Sequence, residues 1–156
     1  MYLLLKLVHI AAVVMFIGNI TTGLFWHRHA AQTRDPRLLA HAMDGIIRSD
    51  RLFTIPSVII IVITGVMAAM LEHLPLLGTG WIAWTLLLFT VSGLVFAFSV
   101  VPLQRQLRDI ARAGAASGTF DYAQYHARAL RWEYWGAVAL LTPLTAMVLM
   151  VLKPGA

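Results

Sequence analysis

Four long apolar stretches constrain this chain more than any other feature, because a helix needs roughly 20 apolar residues to cross about 30 Å of hydrocarbon. They run over Leu3–Phe25, Leu52–Leu71, Trp81–Pro102 and Trp135–Leu152. A helix pairs its backbone donors and acceptors internally, as lipid demands, so each stretch is predicted to form a transmembrane helix. The first could pass for a cleavable leader. However, its only early charge is Lys6, its basic residues follow the apolar run, and it is too long, so it reads as a retained helix. Short connections predict an all-α, antiparallel four-helix bundle in a single domain over residues 1–156. With 60% hydrophobic and 12% charged residues, the chain carries more apolar surface than one small soluble core can hide.

The net charge of +5 would raise the question of nucleic acid in a soluble protein, but its distribution answers differently. Five arginines (Arg28, Arg34, Arg37, Arg48, Arg51) lie between the first two spans and five (Arg105, Arg108, Arg112, Arg128, Arg131) between the last two. The Glu72–Gly80 connection has none. The positive-inside rule therefore places both basic loops in the cytoplasm and both termini on the outer, periplasmic side of a bacterial inner membrane. No nucleic-acid partner is expected; the basic rims suit anionic lipid. Asp35-Pro36 reads as a helix start, with Asp as N-cap and Pro at the first helical position. Beyond it Leu38, Leu39, Ala42, Met43, Ile46 and Ile47 share one face, which predicts an interfacial amphipathic helix leading into span two. The second basic loop is predicted to pass through Gly114–Gly118 and resume near Asp121 as a helix rich in Tyr and Trp.

Ionisable groups inside a membrane are costly and usually face the protein interior. Span one carries Lys6 and His9, with Asn19 and Gly23 on the same broad side. Span two carries a polar and small stripe: Asp50, Thr54, Ser57, Ile61, Thr64, Gly65, Ala68 and Glu72. Such a stripe either packs helices closely or walls a cavity. Pairing Phe25 with Phe53 across the hairpin puts His9 level with Ala69 and Lys6 level with Glu72. His9 then faces Gly65, Ala68 and Ala69, a small-residue wall with room for a flat cofactor or for tight helix contact. An imidazole is a natural axial ligand to haem iron, and a bundle core is a usual place for haem. His73 is the best outer candidate for a second ligand, although it lies off the stripe. Pairs of methionine one turn apart, Met67 with Met70 and Met147 with Met150, offer soft thioethers that could hold Cu(I) together with His9. Pro143 is expected to kink span four and free a carbonyl near Ala139. With no cysteine, thiolate sites are excluded.

The run Lys6-Leu-Val-His9, Gly18, the segment Asp50-Arg-Leu-Phe-Thr-Ile-Pro56, Thr64-Gly65, Gly80-Trp81 and Lys153-Pro154 resemble an uncharacterised family of bacterial integral membrane proteins. That family is similar in turn to the HemJ-type protoporphyrinogen oxidases and to the membrane part of the copper-resistance D proteins. The resemblance implies b-type haem on His9 with Lys6 beside it. It also implies a haem-dependent membrane oxidoreductase or electron-transfer protein, with a quinone, a porphyrin or a membrane redox protein as partner. The HemJ pattern has a Lys soon after the Trp that opens span three, whereas Gly80-Trp81-Ile-Ala-Trp84-Thr has none. Its Asn-Glu-x-Pro is replaced by Arg131-Trp132-Glu133-Tyr134, and these two departures count against porphyrinogen oxidation itself while leaving the haem ligand in place. A copper-handling protein, a non-catalytic membrane scaffold and a symmetric homodimer remain compatible with the residues. The charge asymmetry makes a direct prediction. Reporter domains fused after Gly118 should be active only in the cytoplasm, and reporters fused after Lys153 only outside it; the reverse pattern would invert the topology.

Overall fold

The computed structural model describes residues 1–154, and every regular element among them is helical. The elements are α1 (Tyr2–Thr33), α2 (Pro36–Ser49), α3 (Ile55–Leu71), α4 (Gly80–Val95), α5 (Val101–Ser117) and α6 (Tyr122–Leu152). Helices α2 and α3 are joined without a break by a π-helical turn at Asp50–Thr54, and α4 and α5 by another at Phe96–Val100. The described residues thus form four continuous rods, each long and apolar enough to cross a membrane. The arginine-rich connections cluster at one end of the bundle, the basic end; the start of α1 and the end of α6 lie at the other.

Both π-turns have the same cause in the sequence. Proline lacks an N–H and its ring collides with the carbonyl four residues back. Pro56 and Pro102 each stand two residues after a five-residue π-turn. The widened turn bonds one residue further back, Ile55 N–H to Asp50 O and Val101 N–H to Phe96 O, and lets the helix pass the proline. The helix expected to lead into span two does so through a bulge within one rod.

The turn between α1 and α2 forms as its residues predict. Arg34 closes α1 with a left-handed backbone (φ 54°), and the Asp35 carboxylate accepts from Arg37 N–H at 2.8 Å with Pro36 opening α2. Asp121 caps α6 likewise, accepting from Gln124 N–H at 3.0 Å. The apolar face of α2 is spent on protein: Leu39, Met43 and Ile46 are buried in a cluster with Leu107 and Ala111 of α5 and Tyr125, Ala129 and Trp132 of α6. Leu38, by contrast, stays exposed. The amphipathic pattern does mark a buried stripe, and α5 is its partner.

Farther from the basic end the rods associate as two pairs, α1 with α3 and α4 with α6. Phe16 meets Phe89 between the pairs, with ring centres 5.7 Å apart, and Leu24 lies against Gly136. Within the second pair, Pro143 deprives the Ala139 carbonyl of its helical donor, and Ser92 Oγ donates to that carbonyl at 2.7 Å. The carbonyl expected to be free is thus satisfied by the neighbouring helix. Ser92→Ala should destabilise the fold by about 1–3 kcal/mol, the cost of orphaning a buried acceptor. Adding Pro143→Ala, which returns the backbone donor, should recover part of that loss; unfolding in detergent measures both.

Candidate functional site

The polar stripe of span two forms a seam against α1, with polar centres at two levels. The deeper centre, towards the basic end, is a buried carboxylate. Asp50, in the first π-turn, accepts at Oδ1 from Asn19 Nδ2 (3.0 Å) and Thr54 Oγ1 (2.8 Å), and at Oδ2 from Gln104 Nε2 (2.8 Å). Asn19 Nδ2 also donates to Thr54 Oγ1 at 2.8 Å. One side chain thus ties together α1, the α2–α3 rod and α5. Asn19, Asp50 and Gln104 also line a cavity of about 20 Å³, beside Phe96 and Val100 of the second π-turn. That is room for about one water with polar partners on its walls. The two bulges therefore flank the same polar centre.

The second centre is His9. Its Nδ1 lies 3.0 Å from Thr64 Oγ1 and 3.1 Å from Ile61 O. The Thr64 hydroxyl donates to Ile60 O at 2.6 Å, so towards His9 it acts as an acceptor. A carbonyl and an accepting hydroxyl both facing Nδ1 require the hydrogen to sit on Nδ1. This leaves Nε2 with its lone pair.

Gly65 is what seats the ring. A Cβ there would stand 3.2 Å from His9 Cε1, so the small residue fits the imidazole itself. The expected register is off by about one helical turn, four residues. His9 meets Thr64 and Gly65, where the sequence had placed it level with Ala69, because the hairpin closes tightly at Arg34–Asp35. Ala69 is buried and Ala68 half-buried. Lys6 and Glu72 are both exposed and do not pair among the described residues. His73 lies beyond α3, exposed, with a left-handed backbone (φ 54°).

The methionine pairs sit on separate rods. Met67 and Met70 are on α3 and Met147 and Met150 on α6, two helices with no close backbone approach among the described residues. Among the described residues, no group of three or more His, Cys, Asp or Glu side chains could hold a metal ion.

Gln104 is the member of the deeper centre that the sequence reading did not single out. Its signal was an uncharged amide between Leu103 and Arg105, two residues past Pro102. Replacing Asp50 by Ala would strand the Gln104 amide at a cost of about 1–3 kcal/mol and leave Asn19 only its bond to Thr54. Because both act on one carboxylate, Asp50→Ala and Gln104→Ala should be strongly non-additive in a double-mutant cycle; simple additivity would show that they do not interact.

None of the curated proteins and none of the solved structures matches the chain. One family does, over residues 3–154, and its description is a predicted integral membrane protein, DUF2269. The four membrane-length rods and the match over nearly the whole chain lead to one conclusion: this chain belongs to that family of integral membrane proteins.

Proposed function

We propose that the protein is a redox protein of the bacterial inner membrane that binds b-type haem through His9, with its basic loops in the cytoplasm and its termini outside. The observation that carries this reading is the state of the imidazole. A ligating histidine usually donates its other ring N–H to a carbonyl or similar acceptor, which fixes the tautomer and the ring orientation. His9 has that arrangement in advance: Nδ1–H is held by Ile61 O and Thr64 Oγ1, and Nε2 is left for iron. The ring is only half-buried, so it is open on one side.

On this reading His9 is the axial ligand, Thr64 and Ile61 hold it, and Gly65 gives it space. Lys6, exposed about one turn away, supplies a cation for an anionic group such as a propionate. Ala68 and Ala69 add small, apolar surface on the neighbouring rod. When bound, haem would supply one-electron chemistry for electron transfer or for oxidation of a membrane-soluble substrate.

The test is a reduced-minus-oxidised spectrum of the purified protein after haem supplementation. A b-type band is expected, absent in His9→Ala, with affinity weakened about 10–100-fold in Thr64→Val through the loss of an outer-shell partner. A chain that folds but never shows the band, or that takes up copper in place of porphyrin, overturns the reading.

A further inference from the structure

A second site opens at the basic end, in a cleft of about 230 Å³ between α1 and α6. Its polar walls are His27, Arg28, Gln32, Tyr122, His126 and Glu133. Its depth is marked by its neighbours. Trp26, Tyr134 and Trp135, each within two residues of His27 or Glu133 in the chain, are 54%, 63% and 37% exposed. Exposed Trp and Tyr at the end of an apolar span settle at the lipid headgroups, so the cleft opens at that level.

Two features of the cleft call for a ligand. Its charged walls are one cation and one anion, Arg28 and Glu133, which pair with each other at 2.9 Å. The Arg28 side chain is 75% exposed and so can swing to another partner. The second feature is His27, fully buried, whose Nε2 meets Tyr125 Oη at 3.0 Å while Nδ1 has no hydrogen-bond partner. Tyr125 lies well before the apolar part of α6, and burial, with Tyr122 and Glu133 nearby, pushes its hydroxyl up, so it remains protonated. Nδ1 faces a carboxylate oxygen of Glu133 and not a donor, so the imidazole hydrogen sits on Nδ1, short of an acceptor, and Nε2 accepts from the Tyr125 O–H. Glu133 Oε1, at 3.5 Å, is too far to serve well.

We propose that this cleft binds the headgroup of an ethanolamine phospholipid, its phosphate meeting Arg28 and His126 and its ammonium meeting Glu133, which is then free of Arg28 to close on the buried His27 Nδ1–H. A zwitterion matches one cation beside one anion, whereas a purely anionic headgroup would meet the Glu133 carboxylate. A choline headgroup has no N–H to give that carboxylate.

The test is native mass spectrometry of the full chain released from nanodiscs containing equal ethanolamine, choline and glycerol phospholipids. The wild type should retain the ethanolamine lipid preferentially. Glu133→Gln and Arg28→Gln should each lower that preference about tenfold, the factor for one charge-assisted hydrogen bond. Arg112→Gln, whose partner is Asp44 on α2, should leave it unchanged. Equal retention of ethanolamine and choline lipids by the wild type overturns the proposal whether or not the variants fold. So does displacement of the lipid by free phosphoethanolamine at comparable concentration, which would make a soluble ester the ligand.

Discussion

A polar group inside a bilayer has no water to fall back on, and each one left unpaired in hydrocarbon costs several kcal/mol. The α1 seam follows from that constraint. Asp50 is acceptable within the bundle because donors from α1, its own rod and α5 converge on it; those donors are in turn satisfied by the carboxylate. The same logic fixes His9 against Thr64 and Ile61, and Ser92 against the carbonyl that Pro143 leaves free. Apolar packing is non-directional and lets rods slide and rotate. These few polar contacts have fixed geometry and set the register.

Much of this could be read from the residues, and what could not has physical reasons. Hydropathy marks the four membrane rods, since a bilayer allows few alternatives. The spacing of Asp50, Thr54, Ser57 and Thr64 identifies the buried face of the second rod, and the structure buries all four. Asp35-Pro36 and Asp121 signal helix starts through local chemistry that needs no tertiary partner. The fate of the Ala139 carbonyl needed knowledge of a neighbour: Pro143 announces the loss of its donor, but only packing brings Ser92 to it.

The register of α1 on α3 differs from the one the residues predict, and the source of the difference is the hairpin. Extrapolating from Phe25 opposite Phe53 assumed a long connection, whereas α1 runs on to Thr33 and turns in two residues. The difference moves His9 along α3 by a turn. Small residues opposite an imidazole suit either a flat cofactor or tight helix contact, and at Gly65 the close neighbour is the imidazole itself. The π-turns leave little trace in the residues because each is encoded by a proline two residues downstream, inside an otherwise unbroken helical pattern. Both occur at the level of the buried carboxylate, consistent with the tendency of such bulges to gather where side chains must be aimed. Gln104 and the α2–α5 contact depend on which rods become neighbours, and a single sequence does not state that.

The chain therefore has a tightly packed basic end, built on α2, α5 and the start of α6, and a pair of helix hairpins beyond it. His9 lies in one hairpin, half-buried, with its ring nitrogens in different states. Whether it ligates a metal or only ties two helices together, its protonation pattern is the hinge of the account. Nitrogen-15 NMR of histidine-labelled protein in lipid, with the His9 resonance assigned by its loss in His9→Gln, reads that pattern directly. The account predicts a hydrogen on Nδ1 and a bare Nε2, a signature disturbed by Thr64→Val. A resonance reporting the hydrogen on Nε2 would contradict it.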